Sequence, residues 1–429
     1  MKRQLRAMGG LLFRRLRHQF DKFRLARLYT GLHTNFDSNL HLRTATEWLC
    51  RAQDAGPDRG VSYGVRFGGN FQASYPEATG YIICTFLDLA DVYRDPMFVE
   101  RALQMGQWEI DVQMPCGAVM GGKMNSNPTP AIFNTGLVLL GWAALYKRTL
   151  DKKFLRAGRR AAQWLVETQE SNGCWVRGNS VFADPRITTY NVKAAFGLAG
   201  FAEVTGDDAA LAAAIRNAEY TTAKQLPNGW FADCCLTDAN RPLLHTIAYT
   251  MQGLLGIGQI TGCKDFIDAT TRTADSLLNL MDEKGFIPGR IDQNMAGIVD
   301  WACLTGIAQT SIVWSQLFRL SGERKYAEAV TRANRYLMAR HDITSADLAI
   351  RGGLAGSWPV WAPYGRLMVL SWATKFLVEA LLAEQANSVS ASVRVPSVDG
   401  RRIAVSKSVR LESANQRSGN NFRGSDQAR

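Results

Sequence analysis

Long apolar runs are missing from this chain of 429 residues. No stretch reaches the roughly 18–20 apolar residues of a membrane-spanning helix, since the most apolar segments are broken by Gly, Thr, Gln and Asn. Strand-like alternation is sparse, which argues against a sandwich or barrel. Eight cysteines show neither a disulfide-framework spacing nor a local CxxC pair. There is no Asp-rich DxDD acid, so terpene cyclisation fits poorly. Histidine is scarce: His245 is the only one between His41 and His341. The N-terminal apolar stretch, Met8 to Phe13, is too short for a secretory signal and is followed by arginines. These absences predict a cytoplasmic, all-α protein with reduced thiols.

What is present is a repeat. Gly80-Tyr81, Asn134-Thr135-Gly136, Tyr190-Asn191, His245-Thr246 and Leu304-Thr305-Gly306 recur at roughly 55 residues, a period typical of repeat architectures. Each unit starts with an almost wholly apolar, Gly- and Ala-rich segment such as Phe133 to Tyr146, which reads as a helix buried on all sides. An amphipathic segment follows. In the second unit Phe154, Ala157, Ala161, Trp164 and Leu165 share one face, opposite Lys152, Arg156 and Arg159. Turns at Asn172-Gly173-Cys174-Trp175, Asn228-Gly229-Trp230-Phe231 and Lys284-Gly285-Phe286 close the units, with Trp175 and Trp230 read as packing residues.

Five helical hairpins are expected near 78–112, 131–169, 188–224, 243–281 and 302–340. A lone outer-type helix (41–53) and a lone inner-type helix (364–384) remain. Paired, they make a sixth hairpin and close an (α/α)6 toroid over residues 41–385, without the polar end caps an open solenoid needs.

The net charge of +12 belongs to the ends. Residues 1–33 carry nine Lys/Arg against Asp21, and residues 386–429 carry eight against three acids, leaving the body near −1. In the N-terminal extension (1–40), Leu11, Leu12, Phe13, Leu16, Phe20 and Phe23 alternate with arginines. Such a basic amphipathic segment suits an anionic membrane surface, as a peripheral attachment at the inner face, or packs on the toroid. The Ser/Arg-rich tail (386–429) reads as disordered. No nucleic-acid-binding motif accompanies either end.

Chemistry is expected where the loops entering the inner helices converge. These loops are rich in aromatic and amide residues with few charges, the composition of a sugar-binding cavity. His245 and Tyr249 share a helix face; with Tyr190 and Glu77 they form the candidate catalytic set. A plain structural role suits His245 equally, and the helix dipole alone would account for Glu77, Asp184 and Asp300. Candidate substrate contacts are Tyr75, Asn134, Asn191, Lys193, Asp300, Trp358, Trp361 and Tyr364. Cys234, His245 and Cys303 on adjacent loops raise a weaker alternative, an open zinc site; otherwise no cofactor is expected.

The segments Ser74 to Ile83, Phe133 to Gly136, Thr189 to Asn191, Asn228 to Phe231, Arg241-Pro242, His245 to Tyr249, Cys303 to Gly306 with Gln309, and Arg351 to Gly353 with Gly356-Ser357 resemble, as an ordered set, bacterial VpsJ-like polysaccharide-biosynthesis proteins of the six-hairpin glycosidase-like superfamily. The resemblance spans about 42–385 and departs around Trp358 to Val369. It implies a part in exopolysaccharide or O-antigen production on a polysaccharide or lipid-linked oligosaccharide, and brings no assigned catalytic roles. Lyases and epimerases on such toroids take a sugar C5 proton with Tyr or His while an amide or cation neutralises the carboxylate. A hydrolase needs two carboxylates across the cavity, and a non-catalytic glycan-gripping or scaffolding module needs neither.

Overall fold

The computed structural model describes residues 32–393. The basic N-terminal segment through residue 31 and the tail beyond 393, with the membrane and disorder readings attached to them, lie outside the described residues.

Twelve α-helices are present among the described residues. Outer helices are α1 (Ser38–Asp54), α3 (Pro96–Asp111), α5 (Lys152–Thr168), α7 (Asp208–Thr222), α9 (Lys264–Leu280) and α11 (Arg324–Met338). Inner helices are α2 (Pro76–Tyr93), α4 (Ile132–Thr149), α6 (Val192–Thr205), α8 (Leu244–Thr261), α10 (Leu304–Ser321) and α12 (Ser371–Val393). Each inner helix packs on the next, and α12 returns to both α1 and α2, so the ring closes as an (α/α)6 toroid. At the closure Gln385 Nε2 donates to Asn39 Oδ1 at 3.0 Å.

Inner helices pack closely because of their glycines. A Cβ on Gly80 would lie 2.5 Å from Val138 Cα, and one on Gly136 would lie 2.4 Å from Ala194 Cα. Larger residues there would push adjacent inner helices apart. The repeated threonine joins loop to helix. Thr79 Oγ1 accepts from the Val61 N–H at 2.9 Å and Thr135 Oγ1 from the Val119 N–H at 2.9 Å. Each also donates to the first carbonyl of its own helix, satisfying both ends of the hydroxyl.

Outer helices are joined by a second repeat, absent from the sequence reading. Gln113, Gln169 and Gln225 donate to the carbonyls of Ala157, Ala213 and Ala269 on the next outer helix, at 2.7–3.0 Å. Arg160, Arg216 and Arg272 from that helix donate back to the glutamine oxygens at 3.1, 2.8 and 2.6 Å. Trp175 and Trp230 are buried in packing, as expected.

One expected helix is shorter at its start. Residues 364–370 do not form helix; Gly365 and Leu367 take positive φ, which breaks the helical path. The segment instead forms strand β4 (Met368–Leu370), antiparallel to β1 (Gly64–Arg66). A second pair joins β2 (Ala302–Cys303) to β3 (Ser357–Trp358). Both ladders tie loops of the same mouth together. At the far end α12 continues past residue 385 to Val393, so residues 386–393, expected to be part of a disordered tail, are helical instead. No described helix is long and apolar enough to cross a membrane.

Candidate active site

The N-terminal ends of the inner helices face a cavity of about 260 Å³ on the toroid axis. The helices α2, α4 and α8, which bring Glu77, Phe133 and His245 to the lining, begin without side-chain caps. Loop carbonyls take the first N–H groups of α4 and α8 (Ile132 to Gly178 at 2.7 Å, Leu244 to Gly289 at 3.1 Å), so the helix dipoles are what favours negative charge at this mouth.

Aromatic rings line the wall in contact with one another. Tyr63 and Tyr75 have centroids 5.1 Å apart, and Trp372 lies 4.7 Å from Tyr63 and 5.6 Å from Tyr75. Tyr364 accepts a hydrogen bond from Trp372 Nε1 at 2.8 Å and faces His245 at 5.3 Å. His245 leads to Tyr249 at 4.4 Å, Tyr249 to Phe133 at 4.8 Å, and Phe133 to Tyr190 at 5.3 Å.

Two titratable groups interrupt this lining. Glu77, 8% exposed, sits in the first turn of α2 and takes a short hydrogen bond from the Tyr75 hydroxyl. Burial pushes its carboxyl up to about 7, and the Tyr75 bond pulls the other way. Desolvation outweighs the helix dipole here. Among the lining residues Glu77 is the only carboxylate.

His245, 6% exposed, begins α8. Its Nδ1 lies 2.6 Å from Gln309 Oε1, and the Gln309 amide nitrogen faces Gln252 Oε1 at 3.4 Å. The amide network therefore assigns the proton to Nδ1 and leaves Nε2 a basic lone pair. Burial lowers the imidazole to about 4, so the ring is neutral at pH 7.

Burial pushes the Tyr190 and Tyr249 phenols well above their ordinary range, so both are O–H donors at neutral pH. Neither hydroxyl closes a hydrogen bond of good geometry. Among the described residues Arg290 is the one cation on the wall; it donates to the Arg241 carbonyl and, at 3.5 Å, to Thr237 Oγ1.

The structure brings His245, Tyr190, Tyr249, Glu77, Tyr75 and Tyr364 to this one cavity. It places the other candidates elsewhere. Asn134 is buried and donates to the Met120 carbonyl at 2.9 Å. Asn191 is buried as the last residue of the 3₁₀ turn that precedes α6, its amide without a partner among the described residues. Lys193 points into a different cavity, below the aromatic wall. Asp300 and Asp184 are exposed. Trp358 lies under the Arg340 guanidinium at 5.6 Å, and Trp361 stands 37% exposed outside the cavity.

The grouping of Cys234, His245 and Cys303 does not form. Among the described residues no three His, Cys, Asp or Glu side chains converge as metal ligands. Cys234 Sγ instead meets Thr250 Oγ1 at 3.2 Å, and burial holds the Cys234 and Cys303 thiols up at about 11 and about 12.

Sequence reasoning missed Tyr63, Phe182, Arg290 and Trp372. Tyr63 and Arg290 lie in stretches before the loops that were read. Trp372 was hidden inside an inner helix assumed to start at 364; the Pro363-Tyr364-Gly365 break was the available signal.

No family model matches the chain, and no curated protein matches it in sequence. Solved structures do match in three dimensions. Cellobiose 2-epimerase from Bacillus thermoamylovorans B4167 aligns with a TM-score of 0.63 at 12% identity, over 81% of this chain and 98% of that one. An unsaturated glucuronyl hydrolase specific for heparin gives 0.66 at 14%, over 81% and 97%. A polysaccharide lyase gives 0.58 at 12%, over 84% and 98%. At these identities the likeness establishes the fold.

Proposed function

We propose that this protein is a carbohydrate-active enzyme that moves a proton at carbon on an acidic glycan, as a lyase or epimerase. The observation that carries the reading is the pairing, in one aromatic cavity, of a neutral His245 with a Glu77 near pH 7. His245 Nε2 is the base. Glu77, half protonated near neutrality, is the acid, and Tyr75 orients it. The phenols of Tyr190 and Tyr249 are donors for charge that develops on the sugar.

Arg290 and the uncapped helix ends favour a carboxylate on the substrate, and neutralising that carboxylate acidifies the adjacent C–H. Aromatic faces supply stacking for sugar rings. The epimerase, hydrolase and lyase among the structural neighbours support a carbohydrate substrate. The two-carboxylate hydrolase reading finds no partner for Glu77 on the cavity wall. The motifs resembling VpsJ-like proteins support a setting in exopolysaccharide or O-antigen assembly. The basic segment 1–33 adds an anionic membrane surface as a peripheral attachment.

The test uses purified protein and acidic oligosaccharides cut from the exopolysaccharide of its source. A lyase yields an unsaturated product absorbing in the ultraviolet; an epimerase in D₂O incorporates deuterium at the inverted carbon. His245→Ala and Tyr190→Phe should each lower the rate by about 10²–10⁴ and roughly tenfold or more, respectively, with little change in melting temperature. Full activity in both stable variants sinks the proposal. Glycan binding with no turnover in the wild type favours a gripping module instead.

A further inference from the structure

The toroid axis holds a second cavity, of about 660 Å³, lined by the middle and C-terminal parts of α2, α8 and α10, by Lys193 and Phe196 in the first turns of α6, and by Lys375, Phe376 and Glu379 in the N-terminal half of α12. An aromatic layer divides it from the first. Tyr81 stacks on Phe376 at 5.7 Å, and Tyr249 meets Phe376 edge-on at 5.9 Å.

The polar groups of the lower cavity are mostly paired. Lys375 Nζ bonds Glu379 Oε2 at 2.7 Å, and Glu379 Oε1 accepts from Thr85 Oγ1 at 2.8 Å. Asp91 is bridged by Arg148 at 2.8 Å, and Arg319 donates to Ser315 and Asn387. Lys193 and Asp88 differ: among the described residues neither side chain has a hydrogen bond or ion pair, and the Lys193 amine lies 4.8 Å from the Phe196 ring centroid. Gln252, Gln259 and Gln316 add side-chain amides to the wall.

We propose that Lys193 captures the open-chain aldehyde of a reducing sugar in this lower cavity as an imine. An unpaired amine beside a second, paired ammonium in a partly desolvated cavity is the setting that activates a lysine nucleophile. The amides suit sugar hydroxyls. Three acids, Asp88, Asp91 and Glu379, are balanced by three bases, Lys193, Arg319 and Lys375, so the lining favours a neutral ligand over an anionic one. Burial first, then the Lys375 ammonium, lower the Lys193 amine to about 7, against the opposing pull of Glu379 and Cys84.

In the step, the Nζ lone pair attacks the carbonyl carbon and the C=O π pair moves to oxygen. Proton transfer from nitrogen to oxygen gives a carbinolamine. Loss of its hydroxyl with one proton, as water, leaves C=N. The sum is aldehyde plus amine giving imine plus water, with no net redox change.

The test treats the full chain with glycolaldehyde and sodium cyanoborohydride, which reduces the imine to a stable amine, and maps adducts by peptide mass. At pH 7.5 Lys193 should label at least about tenfold faster than Lys264, whose side chain is 85% exposed, because burial and the nearby Lys375 lower the Lys193 amine to about 7. The Lys193 rate should rise through pH 7 and level off. Lys193→Gln should remove that fast phase while the surface labelling continues. Labelling that follows exposure, with Lys193 no faster than Lys264, overturns the proposal; so does a fast phase that survives in Lys193→Gln. Wild-type mapping decides the case even where the variant fails to fold.

Discussion

The two mouths of the toroid are built from the same six helices and differ in how they handle charge. At the upper mouth, helix N-termini meet an aromatic wall on which Glu77 and His245 are held near or in their neutral forms by burial. At the lower mouth a wider cavity, lined by the C-terminal parts of α2, α8 and α10 and the starts of α6 and α12, pairs part of its charge, as Lys375 with Glu379. Pairing is the stable solution for a buried charge; unpaired titratable groups cost stability and persist where chemistry uses them. On the proposed reading proton transfer belongs to the upper mouth; in the lower, Lys193 and Asp88 are the charged groups without a hydrogen bond or ion pair among the described residues.

The largest effect that sharpens this contrast is on rate. Glu77→Gln removes the only carboxylate on the upper wall and should lower turnover by about 10²–10⁴, read from product formation on the same oligosaccharides. A variant within a factor of two of the wild type would erase the difference between the mouths.

The next effect is on stability, from the lower side. Glu379→Gln strands the buried Lys375 ammonium and should lower the unfolding free energy by about 3 kcal/mol in denaturant titration. Turnover at the upper cavity should hold. Stability unchanged in this variant would mean that the lower pair is not structural.

The smallest effect concerns pH. Glu77 is held at about 7 against an ordinary 4.5. A carboxyl raised on folding contributes its stability below the ordinary value and loses it as pH climbs through 7. At about 1.4 kcal/mol per pH unit the loss is at most roughly 3.5 kcal/mol by pH 8. Glu77→Gln should therefore be more stable than the wild type at pH 8, with the gap closing towards pH 5. A gap independent of pH would place Glu77 in solvent.

The ring was legible because each unit repeats its physics. The inner Gly and Thr recur at fixed spacing, and the outer faces carry helical periodicity. Matching the two unpaired helices predicted the closure that α1 and α12 make. The Gln113, Gln169 and Gln225 stitches were not legible, since a lone glutamine at a helix end resembles any exposed polar residue until its partner is known. The site was legible in part. Loop position brought out Glu77, Tyr190, His245 and Tyr249, which do share a cavity. It also suggested Lys193, one turn beyond Tyr190. Side chains that close on an inner helix point to opposite mouths, and only the helix phase and the aromatic layer between the cavities decide which. Arg290 and Tyr63 arrive from long connections whose path no local pattern encodes.

The most direct test of the account is a crystal structure of Glu77→Gln with a bound acidic oligosaccharide from the source exopolysaccharide. The account predicts a sugar stacked against Tyr63 or Trp372 in the upper cavity, its carboxylate towards Arg290 and a ring carbon within reach of His245 Nε2. A sugar bound on the outer helices, or with His245 Nε2 turned away from it, would contradict the account.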